Sequence, residues 1–130
     1  MMAPHDMPMD PLLPWTFLVI AAAGGVFLVT RLLRGKAYPR PLGWIHGMLA
    51  LAGVTLLAVL ALSGPADPFL DDGALFLVMA AFGGLTLAGM GLGGHRPPGV
   101  LVFLHAVFAI FGLVLLTIAL FQPVTTALPR

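Results

Sequence analysis

Three observations predict an all-α integral membrane protein, a four-helix bundle built from a tandem repeat of two-helix hairpins. Four apolar runs of membrane-crossing length follow one another. The second half of the chain repeats the first at an offset of 59 residues, and one histidine stands in the same register of the second and fourth runs. Composition agrees: 60% of the residues are hydrophobic, 8% are charged and the mean hydropathy is +1.07. Soluble domains carry roughly 25% charged residues, so an aqueous core with a charged skin is excluded.

The 1–11 segment is polar and proline-rich, which predicts an irregular tail. It lacks the basic n-region of a signal peptide, and the run after it is too long for an h-region. The run 12–33 is therefore expected to be a retained transmembrane helix, with Pro14 in its first turn, where a missing N–H costs nothing. Runs 41–62, 73–92 and 99–121 complete the set. Each has about 20 residues, enough to span roughly 30 Å of hydrocarbon at 1.5 Å per residue. Arg31 is the one Lys, Arg, Asp or Glu inside these runs. Continuous apolar stretches without alternation read as helices, which satisfy their backbones internally.

Short connections of Gly, Pro and charge separate the runs, so successive helices are antiparallel neighbours. The units expected are a first hairpin over 12–62, a loop over 63–72, a second hairpin over 73–121 and a tail over 122–130. Arg31, Arg34, Lys36, Arg40 and Arg96 gather at the first and third connections, whereas Asp67, Asp71 and Asp72 occupy the second. By the positive-inside rule the first and third connections face the cytoplasm and both termini lie outside. The net charge of +1 is too small for a nucleic-acid footprint. Trp15, Tyr38, Trp44 and Phe69 fall where interfacial belt anchors are expected.

The repeat is gap-free. From Phe17 to Leu62 against Phe76 to Phe121, 17 of 46 positions are identical. Apolar bias inflates matches of Leu and Ala. It does not produce Gly24-Gly25, Gly35, Pro39, His46 and Gly53 matched to Gly83-Gly84, Gly94, Pro98, His105 and Gly112. A duplicated pair of spans keeps its topology, so the halves are related by a pseudo-twofold axis along the membrane normal. His46 and His105 then lie at one depth, facing across that axis.

An imidazole in hydrocarbon is a functional-site hypothesis by default. Seven residues advance a helix by nearly two turns, about 10 Å, so Ala50 and Gly53 lie under His46, and Ala109 and Gly112 under His105. Such a groove of small residues has two readings. One is close helix packing with the histidine hydrogen-bonded across the interface. The other is room for a flat macrocycle whose iron both imidazoles ligate. Arg34, Lys36, Arg40 and Arg96 suit haem propionates, although positive-inside charge alone also accounts for them. Gly24-Gly25 and Gly83-Gly84 read as close-packing positions. Quinone and chlorophyll-type pigments are further candidates, the latter because they take one axial imidazole each.

Absences narrow the field. Without cysteine, disulfides, iron–sulfur clusters and thiol catalysis are excluded. There is no Walker loop, no HExxH and no intramembrane carboxylate of the kind small antiporters use. No catalytic constellation marks a free-standing enzyme. Met1, Met2, His5, Met7 and Met9 suit copper(I), but no further ligands accompany them.

The pattern Pro41, His46-Gly47-Met48-Leu49-Ala50, Gly53, repeated with variation in the fourth run, resembles small bacterial four-helix membrane proteins of the b-type cytochrome kind. The resemblance implies His46 and His105 as axial ligands, and so as the metal-binding pair. The larger members bind two haems with four histidines in their spans. This chain has two such histidines, which implies one haem b at most. It further implies an electron-transfer subunit of a larger respiratory or photosynthetic complex in a bacterial inner membrane, possessing lipid and quinone as natural partners. A structural accessory subunit without redox chemistry is the reading from a different class.

Overall fold

Glycine and proline pairs cut the chain into four helices. The structure, a computed structural model, describes residues 9–37 and 39–122. The helices are α1 (Leu12–Leu33), α2 (Arg40–Ser63), α3 (Pro68–Leu92) and α4 (Gly99–Phe121). Each is long and apolar enough to cross a membrane, so the protein is a transmembrane four-helix bundle. The Met- and His-rich stretch up to Met7, Tyr38 and Arg130 lie outside the described residues.

Both hairpin turns are built the same way. α1 ends in a Schellman motif, with Gly35 at φ +64°, Lys36 N–H donating to the Arg31 carbonyl and Gly35 N–H to that of Leu32. α3 ends likewise, with Gly94 at φ +73°, His95 N–H donating to the Met90 carbonyl and Gly94 N–H to that of Gly91. Pro39 and Pro98 then precede α2 and α4 in extended conformation. Arg31 folds back to donate to the Ala37 carbonyl through Nε and Nη2, at 3.1 and 2.7 Å.

The start of α3 differs from the sequence expectation. It begins at Pro68 rather than residue 73, and shortens the second loop to the stretch after Ser63. Asp67 is the reason: its carboxylate accepts from Phe69 N–H at 2.9 Å and Leu70 N–H at 3.2 Å, and Pro68 sits at the first helical position. Hydropathy lost the helix start because Asp71 and Asp72 occupy its first turns.

α1 packs on α2 and α3 on α4; the hairpins then meet through α2 against α3 and α1 against α4. α2 and α4 are thus diagonal. The core consists of Leu18, Val54, Leu57, Leu60, Leu70, Ala74, Leu77 and Leu116. Every buried residue of the described chain lies level with the histidines or toward the end bearing Asp67. Between the histidines and the end bearing Lys36 and Arg96, no residue is buried.

Gly53 and Gly112 explain the packed half. A Cβ on Gly53 would stand 2.7 Å from Leu18 Cγ, and one on Gly112 2.6 Å from Leu77 Cγ and 2.9 Å from the Gly73 carbonyl oxygen. In lipid, where burial between helices brings no hydrophobic gain, such close approach supplies the dispersion that holds spans together. Trp15 ties α1 to α4: its indole N–H donates to Thr117 Oγ1 at 3.0 Å and its ring meets Phe121 edge-on. Trp44 and Phe69 are exposed, as belt anchors are.

Gly112→Ala should lower stability by about 1–3 kcal/mol, the usual cost of overpacking. Gly53→Ala should cost less, because the backbone atom nearest its Cβ, the Pro14 oxygen, lies at 3.2 Å, against 2.9 and 3.0 Å for Gly73 O and Leu77 N at Gly112. Gly47→Ala, with nothing within 4 Å, should be neutral or stabilising. Unfolding titrations in detergent micelles check the order of the three.

Candidate functional site

The site begins with what a polar side chain does inside an apolar span. Thr16, Thr30, Thr55, Ser63, Thr86 and Thr117 each turn a hydroxyl to the carbonyl four residues back on the same helix. An imidazole is too rigid for this and needs a neighbour. His46 Nδ1 lies 2.7 Å from the Ala21 carbonyl oxygen of α1, and His105 Nδ1 lies 2.8 Å from the Ala80 oxygen of α3. A carbonyl can only accept, so Nδ1 carries the proton and donates in both rings. Each Nε2 is thereby left with its lone pair.

No described residue takes that lone pair. The described side chains also contain no fully buried nitrogen or oxygen without a partner, so both Nε2 atoms border open space. The rings approach one another across the α2–α4 diagonal, with centroids 6.2 Å apart and planes at 83°. Two imidazoles whose Nε2 atoms pointed from opposite sides at one metal ion, at about 2.0–2.1 Å, would have centroids roughly 6.2–6.4 Å apart. Ligating histidines, moreover, almost always donate their other ring N–H to a carbonyl, a carboxylate or water. The separation and the planes at 83° are also those of an edge-to-face aromatic pair. Among the described residues no cluster of three or more His, Asp or Glu offers a metal site of another kind.

The space beneath the histidines is closed. Gly53 and Gly112, expected under the histidines as part of the groove, are filled by Leu18 and Leu77. Ala50 and Ala109 are half-buried. Open space lies instead toward the basic end, where no residue is buried. There, at the hairpin connections, a cleft of about 420 Å³ is lined by Leu32, Gly35, Lys36, Ala37, Arg40, Gly91 and Arg96; neither histidine lines it. Arg40 stands six residues before His46, about 9 Å along α2. Three of the four predicted cations thus share the cleft; Arg34 caps α1 and does not line it.

Sequence reasoning missed the role of the glycine pairs. Gly25 and Gly84 face the histidine rings: a Cβ on Gly25 would meet His46 Cε1 at 3.0 Å, and one on Gly84 would meet His105 Cε1 at 3.0 Å. Gly24 and Gly83 lie beside the same side chains at 3.7 and 3.4 Å. The signal was the repetition of Gly-Gly and His at one offset, which tied the two motifs together before any geometry was known. Trp15, expected as a belt anchor, donates its indole N–H to Thr117 Oγ1.

No family model, curated protein or solved structure matches this chain.

A hydrogen bond between spans contributes about 0.6 kcal/mol on average and at most about 1.7. His46→Leu and His105→Leu should each destabilise the cofactor-free protein by that little, as measured by unfolding in micelles. A larger loss would mean that the histidines carry the fold.

Proposed function

We propose that this protein is a membrane electron-transfer subunit in which His46 and His105 hold one haem b. The observation that carries the reading is the facing pair of imidazoles, 6.2 Å apart, each donating Nδ1–H to a carbonyl while its Nε2 is unspent. When bound, the haem supplies one-electron redox chemistry. The residues do the rest. His46 and His105 would hold the iron, and the carbonyls of Ala21 and Ala80, which accept their Nδ1 protons, would fix the rings and raise their basicity. Lys36, Arg40 and Arg96 offer charge-assisted contacts to propionate carboxylates.

Further parts of the reading follow the same support. The matched contacts of Gly25 with His46 and Gly84 with His105 fit a duplicated hairpin and a pseudo-twofold axis along the membrane normal. Basic connections on one side and Asp67, Asp71 and Asp72 on the other fit an inner bacterial membrane, with both termini outside the cytoplasm. A lone haem needs a donor and an acceptor, so quinone or another subunit of a larger respiratory or photosynthetic complex would complete the path.

One observation favours a second reading, a structural accessory subunit. Hydrogen bonds from Nδ1 to a neighbouring helix are what a purely structural histidine makes. They leave the two Nε2 atoms and the mutual approach of the rings without a reason, and for that the haem reading is preferred.

A pyridine haemochrome assay decides between them. Purified protein should show Soret and alpha bands and one haem b per chain. His46→Ala or His105→Ala should abolish the low-spin spectrum. Neutralising Lys36, Arg40 and Arg96 together should weaken haem retention without moving the bands. Protein that carries no bands sinks the haem reading and favours the accessory role; bands of a chlorophyll-type pigment would sink both.

A further inference from the structure

The glycine pairs are the one feature of the histidine layer to which the proposed function gives no task. A helical glycine in a span can serve close approach of two backbones, and that is how Gly53 and Gly112 serve. Gly25 and Gly84 are different. The three nearest atoms that a Cβ on Gly25 would meet are Cε1, Nδ1 and Nε2 of His46, at 3.0, 3.4 and 3.8 Å. For Gly84 they are the same three atoms of His105, at 3.0, 3.4 and 3.9 Å. Each glycine is packed against an imidazole and not against a neighbouring backbone. Each stands one turn after the residue whose carbonyl takes the Nδ1 proton, Ala21 before Gly25 and Ala80 before Gly84. On a helix, residues four apart lie on one face. The acceptor and the clearance are therefore two parts of one seat.

We propose that Gly25 and Gly84 are positioning residues that seat the imidazoles of His46 and His105 against the Ala21 and Ala80 carbonyls. The seat holds both rings as Nδ1–H tautomers with Nε2 free for a shared ligand. The seat itself exists without that ligand; its purpose rests on the haem reading. A methyl group at position 25 would approach Cε1 and Nδ1 more closely than nine in ten real Cβ contacts, so the ring has to move. A shift away from α1 carries it away from the Ala21 oxygen. The hydrogen bond, 2.7 Å in the wild type, lengthens, and the preference for Nδ1–H weakens. Gly24 supplies the control, because its Cβ would meet His46 at 3.7 Å, an ordinary contact.

The test is nitrogen NMR of the cofactor-free protein in micelles, with 15N-labelled histidine and assignment from His46→Ala and His105→Ala. The wild type should show two rings with a protonated Nδ1 and an unprotonated Nε2. Gly25→Ala should convert the His46 signals to a tautomer mixture and leave those of His105 alone; Gly84→Ala should do the reverse, and Gly24→Ala should change neither. Stability guards against simple misfolding: Gly25→Ala should lower the unfolding midpoint with His46 present and not in the His46→Ala background. In protein loaded with haem, Gly25→Ala should weaken binding by about 10–100-fold, as loss of an outer-shell partner does. Unchanged tautomers in Gly25→Ala overturn the inference, as does equal destabilisation in both backgrounds. Ordered tautomers in a protein that takes up no haem overturn the haem reading and leave the seat standing.

Discussion

A polar atom placed in hydrocarbon has to be satisfied from within the protein, and the imidazole is the one side chain in the middle of these spans that its own helix cannot satisfy. The hydroxyls fold back onto their helices and impose nothing on the neighbours. His46 and His105 must instead reach α1 and α3, the helices that the short connections already place beside α2 and α4. A Cβ at position 25 or 84 would stand 3.0 Å from Cε1 of the imidazole, so the ring would have to give by a few tenths of an ångström. The hydrogen bond between spans is weak, at about 0.6 kcal/mol. Its influence is geometric: it selects one tautomer and one ring position from those that packing alone would permit.

That selection coincides with a change in how the bundle is filled. Toward the acidic end Leu57, Leu60 and Leu116 are enclosed, and Gly53 and Gly112 let Leu18 and Leu77 close the space beneath the rings. Toward the basic end the helices carry no buried residue, and the hairpin connections frame a cleft with three cations. The two rings stand at this boundary. Apolar packing holds the hairpins together on one side of them, and on the other side little within the chain does. A group that bridged the rings would supply the contacts that the basic half lacks.

Four helices, their antiparallel order and the prominence of His46 and His105 were legible from hydropathy, glycine–proline punctuation and the offset of 59 residues. What was not legible depended on which face meets which neighbour. Gly53 stands on the face of His46, and from spacing alone a macrocycle and Leu18 are equally good occupants of the space beside it. Gly24-Gly25 repeats with the histidine, but a repeat tells that two motifs belong together and not that they touch. Asp67-Pro68 is a helix-start signal written in the sequence, overlooked because the acidic residues after it broke the apolar run. The Trp15 to Thr117 bond joins residues more than 100 positions apart, where nothing local announces it.

On the proposed reading, the same contacts set opposing terms in the affinity of the iron for an electron. Ferric haem b with two neutral imidazoles carries one more positive charge at its centre than the ferrous form. Apolar surroundings penalise that charge, and the cations of the cleft repel it, though exposure to solvent screens their part. Both effects favour reduced iron. The positive ends of the α2 and α4 dipoles add little, since six residues separate Arg40 from His46 and the dipole field fades within the first turn. Donation from Nδ1 to a carbonyl acts the other way, because it makes the imidazole a stronger donor to oxidised iron. The terms that favour reduction come from the surroundings as a whole. The term that favours oxidation comes from two named bonds, each held in place by the clearance at one glycine. On that reading, a local change at Gly25 or Gly84 would reach the electron affinity of the site through the ring it displaces, without touching the apolar walls.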